Sequence, residues 1–131
     1  MRLFLVRHAH AGPGDPDDLR PLSGRGRGEA EALGARLSSH ATPPRLVLSS
    51  PLLRARQTAE AVAESTGAEL RTDERLAPGA TADDVRAAVS GTEGPVAVIG
   101  HQPDCSEIAV ALTGSDPGFP TAGVAELTLE K

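Results

Sequence analysis

Short apolar runs without polar alternation recur along the chain, at Leu3–Val6, within Arg45–Ser49 and at Val96–Ile99. A strand that is apolar on both of its faces must be covered by helices on both sides. The segments between the runs read as helices. Ser23 caps one that reaches about Ser39, with a buried stripe of Ala30, Leu33, Gly34 and Leu37. Ser50 caps a second, with Pro51 in its first position, and this helix stops near Thr66, where Gly67 supplies a left-handed exit. Ala68–Thr72 reads as a further strand, Thr81–Val89 as a short helix, and Pro103 opens a helix ending near Gly114. Val124–Leu129 alternates apolar with polar residues, as an edge strand exposed on one side does. This alternation of strand and helix predicts an α/β three-layer sandwich: a mostly parallel central sheet with helices on both faces and room for an antiparallel edge.

The chain of 131 residues contains no linker or repeat, so a single domain over 1–131 is expected. Phe4 and Phe119 are its only aromatic residues, which leaves the core to Leu, Val, Ile and Ala. Without stacking platforms, and with a formal net charge of -5, the chain is a poor partner for nucleic acid. Cys105 is the only cysteine, so neither an intramolecular disulfide nor a cysteine-cluster metal site is available, and a reducing compartment fits. Leu3–Val6 is too short for a signal-peptide core or a membrane span, which places the protein in the cytoplasm with no membrane partner. A monomer is the expected assembly.

In sheets of this kind ligands bind beyond the carboxyl ends of the strands. Arg7 and His8 follow the first strand. Ser49-Ser50-Pro51 follows the second, with Arg54 one turn into the next helix, and Gly100-His101-Gln102-Pro103 follows Val96–Ile99. Cations and imidazoles from three distant segments therefore meet at one edge. Two helix amino termini, after Ser50 and near Pro103, add positive dipole ends at the same place. Such a site suits an anion, above all phosphate.

Leu5-Val6-Arg7-His8-Ala9 resembles the Arg-His-Gly signature of the histidine phosphatase superfamily. Arg20-Pro21-Leu22-Ser23-x-x-Gly26, Ser50-Pro51-x-x-Arg54-Ala55-x-Gln57-Thr58 and Gly100-His101-Gln102-Pro103 resemble, in order and spacing, the motifs of its SixA-type phosphohistidine phosphatases. Thr121-Ala122-Gly123 is similar to the family as well. The resemblance implies a phosphoglycerate-mutase-like fold and a phosphatase that needs no metal or other cofactor. It implies that His8 takes the phosphoryl group as nucleophile, that Arg7 and Arg54 grip the phosphate oxygens, and that His101 adds a donor. Arg20 is expected as a further phosphate or substrate contact.

Two departures bear on this expectation. Ala9 stands where the family has Gly, which requires a backbone angle that alanine tolerates. The general acid of larger members has no counterpart in Leu76-Ala77-Pro78; Glu74, Asp83 and Asp84 lie nearby but read as solvated carboxylates. A missing acid favours a donor whose leaving group departs easily. Imidazole, with a pKa of roughly 6.5, leaves phosphorus far more readily than an alkoxide does. The expected substrate is therefore a phosphohistidine protein. A small phosphorylated metabolite on the same fold, or a phosphate-binding module without turnover, are the competing readings.

Other residues invite plainer assignments. His8-x-His10 could be a metal pair as in metal-dependent barrels, but such a barrel needs roughly 250 residues. His10 is expected at the rim of the site, and His40 as a surface residue at a helix end. Cys105 reads as a buried structural thiol and Arg56 as a surface cation. Asp15, Asp17 and Asp18 lack the spacing of a calcium loop and read as solvated loop charges.

Overall fold

The computed structural model describes residues 1–130. Five strands, β1 (Arg2–Arg7), β2 (Leu46–Ser49), β3 (Glu69–Thr72), β4 (Val96–Gly100) and β5 (Val124–Thr128), form one sheet in the order β3-β2-β4-β1-β5. All neighbours are parallel except β1 and β5. Helices α1 (Gly24–Ser38), α2 (Leu53–Thr66), α3 (Ala82–Val89) and α4 (Asp104–Thr113) supply the connections. This is the α/β arrangement expected from the apolar runs, with the antiparallel strand at an edge.

The runs lack polar alternation because both sheet faces are buried. Leu3 and Leu5 of β1 join Val96 and Val98 of β4 in a core shared with Val85 of α3 and Ile108 of α4. Phe4 and Val6 point the other way, onto Leu33 of α1 and Val62 of α2. Each strand thus sends alternate residues to opposite helical layers.

Local signals set most helix ends. Ser23 Oγ accepts from Gly26 N at 3.0 Å and caps α1, while Gly67 (φ 74°) and Gly114 (φ 85°) close α2 and α4 in the left-handed conformation. The start of α2 differs from expectation. Its N-cap is Leu52, without a side-chain cap bond, and the Ser50 hydroxyl lies just ahead of it, accepting from Leu52 N–H at 3.3 Å and standing 2.7 Å from His101 Nε2. Asp84 and Thr81 form a reciprocal capping box on α3, and Asp83 pairs with Arg86 on the surface, so neither reaches toward the strand ends. His40 is no simple surface residue. Its Nε2 pairs with Glu126 at 3.0 Å, and its ring stands edge-on to Phe4 with centroids 5.1 Å apart.

Candidate active site

Strand register brings the chemistry together. Arg7 pairs with Gly100 and Ser49 with Ile99, so β1, β4 and β2 end at nearly the same level. The next backbone bonds continue the ladder: His8 N–H donates to Gly100 O and Ser50 N–H to Ile99 O, each at 3.0 Å. His8, Ser50 and His101 therefore emerge side by side. The rings of His8 and His101 lie 5.2 Å apart, tilted by 59°.

His8 Nδ1 sits 2.7 Å from the Ala9 carbonyl oxygen. An oxygen acceptor makes Nδ1 the protonated nitrogen and leaves Nε2 with a lone pair. Burial lowers the His8 pKa; the Ala9 carbonyl pulls it upward, and the fields of Arg54, Arg7 and Arg20 lower it further. The ring is thus held neutral at physiological pH, as a nucleophile must be. His101 is pushed down to about 4, chiefly by burial, with His8 and Arg54 adding to the effect and Asp17 opposing it. Its Nε2 lies 2.7 Å from Ser50 Oγ, which also accepts from Leu52 N–H at 3.3 Å.

Three arginines act on His8 through their charge, and each is anchored by hydrogen bonds of its own. Arg7 Nη1 donates to the Phe119 carbonyl at 3.0 Å. Arg54, 8% exposed, donates from Nη1 to the Asp17 carbonyl at 3.0 Å and from Nη2 to Asp17 Oδ2 at 3.2 Å. Arg20 donates from Nε to Gly12 O at 3.0 Å and from Nη1 to Asp17 Oδ1 at 3.3 Å. Arg7 Nε and His101 Nδ1 are buried polar atoms without a protein partner, an uncommon and costly condition. A tetrahedral oxyanion carries the acceptors that such groups need.

Several residues that hold this arrangement were not singled out as site residues in the sequence. Thr58 Oγ1 accepts from the buried Ala9 N–H at 3.0 Å and donates to Arg54 O at 2.8 Å. Glu29 accepts from His10 N–H and from the Thr121 hydroxyl, each at 2.9 Å, and Gln57 accepts from Leu22 N–H at 2.7 Å. Ala122 adopts φ 57° and donates its N–H to His8 O at 3.1 Å, so the turn before β5 braces the His8 loop. Ala9 itself has no positive φ, which is why alanine is accommodated there.

The remaining titratable residues take other places. His10 Nδ1 lies 2.7 Å from Ser23 Oγ, and among the described residues no group of three or more His, Cys, Asp or Glu could hold a metal ion. Glu74 is exposed at the start of a short 3-10 turn. Asp17, read from sequence as a solvated loop charge, instead bridges Arg20 and Arg54. Cys105 is buried, and burial raises its thiol pKa to about 12.

A strand-end cluster of two neutral imidazoles and three arginines defines a protein that handles phosphoryl groups. The family model for the histidine phosphatase superfamily (branch 1) matches residues 3–78, and the chain belongs to that superfamily. An uncharacterized protein of Mycobacterium tuberculosis is 34% identical, covering 93% of this chain and 85% of its own. An uncharacterized protein of Picosynechococcus is 32% identical over 95% of this chain and 82% of its own. The solved structure of the protein histidine phosphatase SixA complexed with tungstate superposes with a TM-score of 0.88 at 28% identity, covering 99% of this chain and 89% of that one. The chain is a phosphoryl hydrolase of SixA-like fold. Among the described residues no helix is long and apolar enough to cross a membrane.

Proposed function

We propose that this chain is a phosphohistidine protein phosphatase that works through a covalent phosphohistidine on His8. The observation that carries the reading is the 2.7 Å bond between His8 Nδ1 and Ala9 O, which leaves Nε2 unprotonated on a ring 5.2 Å from His101 and within the fields of Arg54 and Arg7. Nε2 attacks phosphorus in line, a new N–P bond forms, and the donor's P–N bond breaks. The arginine forks and His101 spread the charge on the transferring group.

The same bond prepares the second step. Because Ala9 keeps Nδ1 protonated, the phosphorylated His8 ring is a cation. Water then attacks phosphorus, and His8 departs as a neutral imidazole that needs no external acid. Tungstate, the tetrahedral oxyanion held by the SixA homologue, is of the kind this cradle suits. A phosphohistidine donor also suits a site with no carboxylic acid in Leu76–Pro78, since imidazole leaves readily.

Mass spectrometry of the alkali-quenched enzyme, kept basic to preserve the acid-labile N–P bond, after reaction with a phosphohistidine peptide tests the reading. A phosphoryl adduct on the peptide containing His8, absent in His8→Ala, is the expected result. A label that persists in His8→Ala would refute the nucleophile. Turnover of sugar phosphates much faster than of the peptide would instead favour a small-molecule phosphomonoesterase.

A further inference from the structure

The loop between β1 and α1 places an anion beside cations that must receive phosphate. Asp17 stands at the start of the 3-10 turn Asp17–Leu19, and its side chain is 62% exposed. Oδ2 accepts from Arg54 Nη2 at 3.2 Å, Oδ1 accepts from Arg20 Nη1 at 3.3 Å, and the backbone carbonyl accepts from Arg54 Nη1 at 3.0 Å. The hydrogen bond from Arg20, followed by the field of Arg54, holds the carboxyl below its usual range. At neutral pH Asp17 is therefore an acceptor and not a proton donor. Each oxygen has one arginine N–H and retains a lone pair toward solvent.

A clamp for Arg54 needs no such charge. The Asp17 backbone carbonyl already holds Nη1, and a neutral side-chain amide could hold Nη2. A carboxylate at this edge also opposes the approach of a phosphoryl dianion. That repulsion becomes useful only if part of the substrate rewards a negative charge.

We propose that Asp17 is a specificity-determining residue that accepts a hydrogen bond from the ring N–H of the departing imidazole, so that the site prefers donors whose leaving group carries an N–H over donors that leave as anions. The proposal rests on the phosphohistidine reading above. In the transfer step one nitrogen of the donor ring bears the phosphoryl group and the other bears a proton. The His8 Nε2 lone pair forms the new N–P bond. The electron pair of the old P–N bond returns to the donor ring, which leaves as neutral imidazole with its N–H on Asp17. No proton changes place, so the step proceeds without an acid in the Leu76–Pro78 stretch.

The test compares wild type, Asp17→Asn and Asp17→Ala on a phosphohistidine peptide and on p-nitrophenyl phosphate, between pH 6 and 9. Asp17→Asn should lower kcat/KM on the peptide by about tenfold, as for loss of a hydrogen bond to a charged group. On p-nitrophenyl phosphate, whose phenolate leaving group the carboxylate repels, it should raise kcat/KM severalfold. Asp17→Ala should shift the substrate ratio in the same direction. The carboxylate favours the protonated donor ring, so the alkaline decline in peptide turnover should move to lower pH in both variants. Equal losses on both substrates, or an unchanged ratio, would reduce Asp17 to a holder of Arg54 and overturn the proposal. Wild type that fails to turn over the peptide would overturn the phosphohistidine reading, and Asp17's role with it, before any variant is measured.

Discussion

Thr58 joins the loop after β1 to the buried Arg54: its hydroxyl accepts from Ala9 N–H at 3.0 Å and donates to the carbonyl of Arg54 at 2.8 Å. Thr58 is fully buried, so no water replaces either partner. Thr58→Val preserves shape while stranding the Ala9 N–H, which should cost about 1–3 kcal/mol of stability. Since Ala9 also provides the carbonyl that sets the His8 tautomer, kcat should fall as well, by about tenfold if one such bond is lost. Urea melts and steady-state kinetics check both effects, and Thr58→Ser should restore most of each. Full activity in the Val variant would separate the Ala9 amide from catalysis.

Gly26 lies where helix α1 crosses the loop that carries His8 and His10. A Cβ there would stand 1.9 Å from His10 O, closer than any side chain can approach backbone. Gly26→Ala must therefore shift α1 or the loop, with a cost on the order of 1–3 kcal/mol. Gly28, two residues along the same helix, meets nothing within 4 Å. Gly28→Ala should stabilise by about 0.5–1 kcal/mol through helix propensity alone. Opposite shifts in thermal midpoint are expected for these two substitutions, and shifts of the same sign would refute the account.

How much of this could be read in the chain depended on the range of each interaction. The apolar runs, the Ser23 cap and the Gly67 exit are local signals, and they placed the elements, with Arg7, His8 and His101 at neighbouring strand ends and Arg54 in the first turn of the helix after β2. Ser50 misled because Ser before Pro is also a sound cap signal; only the tertiary fold shows its hydroxyl 2.7 Å from a histidine 51 residues away. Asp17 looked solvated because nothing within its own loop betrays a partner 37 residues on. Thr58 stood in a motif with no bond assigned to it and Glu29 in none, because the groups they hold, Ala9 N–H and His10 N–H, lie on another segment.

Acid should weaken the fold through the two site imidazoles. His8 and His101 both titrate below 6.5 in the folded protein, the latter near 4, whereas the unfolded chain protonates them near 6.5. Between those values the unfolded state binds more protons, so stability is complete above about pH 6.5 and is lost as pH falls toward 4. The urea midpoint of wild type should drop over this interval, and that of His101→Gln should drop less. Activity should persist below pH 6.5, since its acid limb follows the lowered pKa of His8. A limb at or above 6.5 would contradict the neutral, desolvated nucleophile.

Glu29 ties three segments together and acts in a separate pH window. Its carboxylate accepts from His10 N–H and from Thr121 Oγ, each at 2.9 Å, and from Arg25 Nε at 3.2 Å, linking α1 to the His8 loop and to the turn before β5. Burial raises its pKa, but the bonds from His10 and Thr121 and the charge of Arg25 outweigh that and set it below 4.5. A carboxylate lowered in this way stabilises the fold above its unfolded pKa and loses that contribution as pH falls through the folded value. Glu29→Ala should therefore cost about 1–3 kcal/mol at pH 7 and progressively less below pH 4.5. Glu29→Gln keeps an oxygen for His10 N–H, and Thr121 can turn its hydroxyl to accept, so it should lose less and show little dependence on acid. If both variants lost the same stability at pH 7 and at pH 4, the ionised carboxylate would not be what braces the His8 loop.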